Sequence, residues 1–172
     1  MAGTVSVNGR PATVGMEVRQ GDQIVTEEND QSYVDVQFST GHVVRLKNGK
    51  LRLDDTSKRF TLLVEKGKLF SHIGKLPAAH SFKIITPMAV AGVRGTKFML
   101  EASQEETYLC VCEEEVWARR KGASGRLVGR TIYVKAGQDV HIKPTGKMGH
   151  HKESPTMVQQ TWEEFKDMGF QP

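Results

Sequence analysis

The sequence predicts an all-β fold: a stacked, partly solenoid-like or sandwich sheet with a short C-terminal amphipathic helix. Three observations predict it. Apolar residues from Gly3 to Val116 alternate or come in short runs, the period of half-buried strands. Gly, Asn and Asp fall between those runs at a regular rhythm, as in sheets built from many short strands. A helical period appears only near the C-terminus, beyond Pro144.

Taken in order, Val5 and Val7 alternate, as do Val34, Val36 and Phe38, then Val44 and Leu46, then Leu51 and Leu53. Gly9, Gly15, Gly21, Asn29-Asp30, Gly41, Asn48-Gly49 and Gly67 punctuate them. Asn48-Gly49 predicts a tight hairpin, because both residues tolerate positive φ. Phe60 to Phe70 reads as two strands around Gly67. Lys75 to His80 reads as a loop. Thr107 to Cys112 is a strand, with Glu115 to Arg119 as its continuation or partner. Val128–Val134 and Val140–Ile142 read as a last pair around Gly137. From Pro144 to Glu153 no apolar period survives, which predicts a linker. Ser154-Pro155 then suits an N-cap followed by proline at the first helical position. Val158, Trp162, Phe165 and Met168 share one helical face, and Gly169 ends it. The expected organisation is a β domain over 3–143, a linker over 144–153 and a helix over 154–169.

The segment Phe82 to Leu100 carries the most information. Pro87 lacks a backbone donor and biases Thr86 towards an extended conformation, so a ladder must end or step there. Gly92 and Gly95 bracket Val93-Arg94, which suits a corner where one backbone passes close to another. Thr86, Pro87, Gly92, Arg94, Gly95, Thr96 and Phe98 are therefore read as fold-defining. The Arg94 guanidinium is expected to fork onto a carboxylate or carbonyl groups and tie the corner to a neighbouring strand, with ligand binding as the alternative.

These residues also carry a resemblance. The Thr-Pro at 86–87, the Gly-Val-Arg-Gly-Thr-x-Phe at 92–98 and the preceding Leu-Val-Glu-Lys-Gly-Lys-Leu at 63–69 resemble the FecR domain of Gram-negative bacteria. Gly3 to Val7, Gly21 to Thr26 and Ser39 to Leu46 are similar to the same family in order and spacing. The resemblance runs from about Gly3 to Trp117. It implies an extracytoplasmic all-β domain that senses or binds partners and performs no known reaction.

Composition narrows the function classes. The chain has 172 residues, 38% hydrophobic and 7% aromatic, with a net charge of +4. A wide, flat β core fits these values better than a large enzyme interior. No stretch approaches the ~20 apolar residues of a membrane span. No leader peptide is evident, so an export signal is expected to have been removed or never to have existed. Arg119, Arg120, Lys121, Arg126, Arg130 and Lys135 cluster after Glu113, Glu114 and Glu115. A solvated hairpin is the plainer reading of that cluster, and no nucleic-acid partner is expected. Binding of an envelope polymer by Arg119, Arg120, Arg126 and Arg130 is an alternative.

The two cysteines form Cys110-Val111-Cys112, which places both on one strand face. They are read as buried structural thiols, as a strained or redox-active bridge, or as soft-metal ligands. With His150 and His151 they would complete a four-coordinate zinc or copper site. His42, His72, His80 and His141 are scattered, and no nucleophile elbow or phosphate loop is present. No catalytic residue and no certain cofactor is expected. Trp162 and Phe165 have two readings: docking on the chain's own sheet, or presenting a helix to a partner.

The leading expectation is a non-enzymatic, periplasmic or otherwise extracytoplasmic module that contacts an envelope protein. In the signalling members of the family it resembles, an outer-membrane transporter contacts this domain and the signal reaches a sigma factor. A metal-binding or redox-sensing protein is the second expectation.

Overall fold

The computed structural model describes residues 1–172 apart from 30, 56, 57, 153, 154, 171 and 172, and describes the backbone alone at 150–152, 155, 156 and 158. Its strands are β1 (Val5–Val7), β2 (Arg10–Pro11), β3 (Gln23–Thr26), β4 (Tyr33–Gln37), β5 (Val43–Asp55), β6 (Arg59–Ile73) and β7 (Ser81–Ile85). They continue as β8 (Ala89–Val93), β9 (Thr96–Ala102), β10 (Thr107–Val111), β11 (Glu115–Lys121), β12 (Leu127–Lys135), β13 (Gln138–Ile142) and β14 (His150–Lys152). The helix α1 spans Pro155–Asp167, with proline in the expected first position. The predicted N-cap at Ser154 lies outside the described residues.

One mixed, unclosed sheet holds all the strands, and two long strands fold it over. The outer half of β5, near Lys50 to Arg52, pairs with β3, whereas its first half, Val43 to Lys47, pairs with β4. Likewise Arg59 to Leu63 of β6 lies parallel to β7, and Gly67 to Ile73 lies antiparallel to β9. One layer therefore runs β12-β11-β8-β7-β6-β5-β3-β1-β2, and the other runs β14-β13-β10-β9-β6-β5-β4. A single apolar cluster fills the space between them, with Leu51, Leu62 and Ile84 from the first layer against Leu46, Leu100 and Leu109 from the second. This is the sandwich form of the expected fold.

The corner is made where β5 and β6 bend together. Asn48 has φ 50° and Gly67 has φ 103°. The register shifts between Lys47 and Lys50, which marks a bulge. A Cβ on Gly49 would lie 2.3 Å from the Lys66 carbonyl oxygen, and one on Gly67 would lie 2.5 Å from the Gly49 Cα. The two backbones touch, and only glycine fits. The hairpin expected at Asn48-Gly49 is thus a bulge inside one strand, and the two strands expected around Gly67 are one bent strand. The tight hairpin forms instead at Asn8-Gly9, with φ 52° and 76° and Val7 opposite Arg10.

Other pairings also differ from expectation. β11 pairs with β8 and β12, and not with β10. β12 and β13 join opposite layers, because Gly137 (φ 75°) turns the chain across the sandwich. Within the expected linker, His150–Lys152 pairs with β13 as an added edge strand.

Candidate functional site

The Phe82–Leu100 segment builds the crossover between layers. Thr86 closes the β7–β8 turn: its Oγ1 accepts the Ala89 N–H at 2.9 Å and the Met88 N–H at 3.2 Å. The same hydroxyl lies 2.6 Å from Thr107 Oγ1 in the other layer. Pro87 stands in the turn, where no ladder donor is needed. A Cβ on Gly92 would lie 2.3 Å from the Trp117 ring, so Gly92 is the floor beneath that indole. Gly95 (φ 139°) turns the chain into the second layer, and Thr96 Oγ1 donates to the Glu113 carbonyl. Phe98 is fully buried in the core. Arg94 departs from expectation. Its side chain is exposed and makes no hydrogen bond or ion pair among the described residues; its carbonyl oxygen secures the corner by accepting the Leu76 N–H at 3.0 Å.

The helix docks on the outer face of the β9–β10 layer. Phe165 is fully buried beside Phe70, Met99, Tyr108 and Cys110. Its ring meets Phe70 edge-on at 6.3 Å and Trp162 at 5.8 Å. Lys97 reaches over the Trp162 ring at 5.0 Å and pairs with Glu113 at 2.8 Å. Gly169 (φ 91°) stops the helix as expected, and Phe170 donates its N–H to the Phe165 carbonyl at 2.8 Å. Of the two readings of Trp162 and Phe165, packing on the chain's own sheet is the observed one. Phe165 is fully buried in this state and Trp162 half-buried.

A buried cation anchors the same helix. Arg45 on β5 is 2% exposed, and its Nε and Nη2 lie 2.6 and 2.8 Å from the Asp35 carboxylate on β4. Its Nη1 donates to Glu164 at 3.3 Å and to Asp167. Tyr33 covers the guanidinium at 4.1 Å. Burial opposes the charge, but the bonds to Asp35, Asp167 and Glu164 outweigh it and hold the guanidinium above its ordinary pKa. Sequence reasoning missed this site. Its one signal was an arginine inside the apolar run Val43-Val44-Arg45-Leu46.

Beyond β4 the sheet ends, and a groove opens. It has a volume of about 730 Å³ and is lined by Ile24, Val34, Val36, Leu53, Val14 and Met16 among others. Tyr33 exchanges backbone bonds with Ala2, N to O at 3.0 and 2.9 Å, on the side of β4 facing away from β5. In an antiparallel ladder the outward groups recur at every second residue. Those of Asp35 and Gln37 therefore face the same way as Tyr33's, and neither has a backbone partner there among the described residues.

The model of the family described as FecR protein matches residues 22–116, more than half of the chain. The chain belongs to the FecR family. Two crystal structures of a Parabacteroides distasonis protein assigned as an anti-sigma factor share the fold, with TM-scores of 0.65 and 0.64 and 19% and 18% identity. Each alignment covers 80% of this chain and 62% of the other. At that identity the likeness is one of fold. No curated protein matches.

The cysteines of this FecR domain lie at the edge of the matched region's own layer. Cys110 is fully buried under α1, with Sγ 3.9 Å from Thr161 Oγ1, and Cys112 is half-buried. Neither is in a disulfide. Cys110 stands opposite Asp139, and Asp139 stands opposite His151. His150 stands opposite Val140, one register position away and so on the alternate face of the strand. The backbone thus sets only one of the two histidines on the face of the cysteines, and that face at Cys110 is already sealed by the helix. Among the described residues no three metal-ligating side chains converge.

The basic cluster is partly used within the fold. Arg119 Nε donates to the Gly129 carbonyl at 3.0 Å, and Arg120 Nη2 donates to the Gly146 carbonyl at 2.6 Å. Arg126 and Arg130 are exposed. No helix among the described residues is long and apolar enough to cross a membrane.

Proposed function

We propose that this FecR-family chain is a non-enzymatic regulatory module of the cell envelope that acts by contact with another protein. The observation that carries the reading is the family match over residues 22–116 on a fold shared with proteins assigned as anti-sigma factors. The chain spans 62% of those solved chains, so their other parts have no counterpart in the alignment. Several features of the molecule agree with a contact role. Its marked segment is consumed by the corner, where Thr86, Gly92, Gly95 and Thr96 hold backbone to backbone. A buried cation, Arg45, joins sheet to helix. What it leaves open is a sheet edge and a groove, which are surfaces that bind other chains.

A regulatory module changes gene expression when it is removed. Transcript profiling of cells lacking the chain should show a defined set of altered genes, restored when the intact chain is returned. An unchanged profile under envelope stress and nutrient limitation would overturn the reading.

A further inference from the structure

We infer that the tip of the β11–β12 hairpin docks on an anionic lipid surface, with Leu127 and Val128 entering between the headgroups and the surrounding arginines meeting lipid phosphates. This goes beyond the proposed protein contact and gives the molecule a second surface.

The hairpin projects beyond the sandwich. Residues 123–130 are all exposed. A strand resting on a core buries every second side chain, but Leu127 to Arg130 are exposed in unbroken succession. β12 recovers the alternation only at Ile132 and Val134. The register marks the point of departure: Ala118 stands opposite Ile132, whereas Arg120 stands opposite Val128. β12 therefore bulges between these pairs, and Gly129 takes φ 69° there. At the tip Gly122 donates its N–H to the Arg126 carbonyl at 2.8 Å and closes the turn.

Its charge has one sign. From Val116 to Val134 the chain carries five cations, Arg119, Arg120, Lys121, Arg126 and Arg130, and no carboxylate. Three of them are held by backbone oxygens: Arg119 by Gly129, Arg120 by Gly146, and Lys121 by Thr86, with Nζ at 3.0 Å. A carbonyl oxygen orients a cation without neutralising it. Arg126 and Arg130 are exposed, and none of the five pairs with a carboxylate among the described residues. The acidic run Glu113 to Glu115 lies where β11 begins, at the end away from Lys121. Lys135, opposite Glu115, belongs to that end and adds nothing to the tip.

Charge alone would suit any polyanion, and the apolar residues decide between them. Six large hydrophobic residues among those described are exposed, and Leu127, Val128 and Tyr133 put three of them on β12. Across the ladder Leu127 stands opposite Lys121, and Val128 opposite Arg120. Aliphatic side chains set among cations match the boundary between charged headgroups and acyl chains. A soluble polyanion offers nothing to Leu127 and Val128. A protein adding a strand would meet an edge blunted by a bulge and by Arg126 and Arg130. Neither the cavity beneath α1 nor the groove beside β4 includes a residue of this hairpin. The tip is convex, and a fluid lipid surface takes a convex tip without a pocket.

The experiment is co-flotation of the full chain with vesicles of equal parts phosphatidylglycerol and phosphatidylcholine, against phosphatidylcholine alone. The chain should bind the anionic vesicles and not the neutral ones, and binding should weaken as salt rises. Arg126→Gln with Arg130→Gln should weaken it by about fivefold for each charge removed. Leu127→Asn with Val128→Asn should weaken it by about tenfold at unchanged charge. All four side chains are exposed, so each variant should melt at the parent's temperature. No binding to anionic vesicles, or equal binding to neutral ones, would overturn the inference. Undiminished binding by the Leu127→Asn, Val128→Asn chain would overturn it too, by assigning the hairpin to a soluble polyanion. So would displacement from vesicles by a capped peptide of alternating leucine and glutamate, which would assign it to an acidic protein partner. The transcript profile is a separate readout: failure on vesicles removes the lipid contact and leaves the regulatory reading standing.

Discussion

The Arg45 guanidinium faces Asp35 across the β4–β5 ladder, with Nε 2.6 Å from Oδ1 and Nη2 2.8 Å from Oδ2. The remaining nitrogen reaches Glu164 and Asp167 at the end of α1. One side chain therefore joins an edge strand, a central strand and the helix. Removing it takes their shared cation from Asp35, from the mostly exposed Asp167 and from Glu164, which keeps Lys47 as a partner. Arg45→Ala should destabilise the domain by about 3 kcal/mol or more, the range for breaking a buried pair from one side. Arg45→Lys should recover part of that, since it keeps the charge but loses the planar fork. Urea unfolding followed at Trp162 fluorescence checks both, and an Arg45→Ala variant as stable as the parent would remove the anchor from the account.

The corner depends on two backbones in contact. Gly67→Ala places a Cβ 2.5 Å from the Gly49 Cα at φ 103°, so both space and conformation oppose it. A loss of about 3 kcal/mol is expected, from strain at a positive φ plus the clash. Gly15→Ala provides the comparison: it has a similar positive φ (83°) but nothing within 4 Å. Thermal unfolding of the two variants separates conformational strain from contact, and equal losses would mean that the contact is unimportant.

Thr86 tests the crossover. Thr86→Val keeps the shape but leaves Ala89 N–H and the Thr107 hydroxyl without their partner, which should cost about 1–3 kcal/mol. Thr86→Ser keeps the hydroxyl and should be nearly neutral. Denaturation midpoints for the two variants decide whether the hydroxyl or the methyl matters.

Two histidines make the fold sensitive to acid. Burial lowers the pKa of His42, aided by His72 and His80; burial also lowers that of His72, aided by the Lys97 cation. His42 Nδ1 accepts the Gly74 N–H at 3.2 Å, a bond that requires the neutral ring. Both groups bind protons more weakly in the folded state, so the unfolded state gains protons first as pH falls. Stability is therefore fully present above about 6.5, the ordinary histidine value, and is lost as pH falls from there through the folded values. Melting temperatures between pH 7.5 and 5 should decline, and His42→Gln should flatten the slope. A flat profile in the parent would contradict the placement of both rings.

The thiols should differ in reactivity. Cys112 is half-buried, whereas Cys110 lies under α1 against Phe165. A maleimide reagent should label Cys112 in the native protein and Cys110 only as the protein unfolds. Simultaneous labelling of both under native conditions would mean that the helix leaves the sheet readily.

The strands and the helix were legible because alternation and helical period are local signals. Val34-Val36-Phe38 and Trp162-Phe165-Met168 name their inward faces without any tertiary information. The FecR resemblance was legible for the same reason, since Thr86-Pro87 and Gly92 to Phe98 are contiguous. Pairing was not. Asn8-Gly9 and Asn48-Gly49 are the same dipeptide, yet one turns a hairpin and the other absorbs positive φ inside a bulge. The difference lies in Gly67, which meets Gly49 from a distant part of the chain. Arg94 attracted attention because it sits in a marked segment, but among the described residues its guanidinium bonds to nothing and its carbonyl holds Leu76. Arg45 carries the buried charge, and its partners Asp35, Glu164 and Asp167 are scattered over more than a hundred residues. No local pattern reports such a cluster.

Quantitative capture from an envelope extract, with the intact chain immobilised and the free chain as competitor, tests the contact role most directly. The account predicts a saturable protein partner that is displaced by free chain and rebinds when both are purified. Retention of nothing displaceable, or turnover of a small molecule by the chain alone, would contradict it.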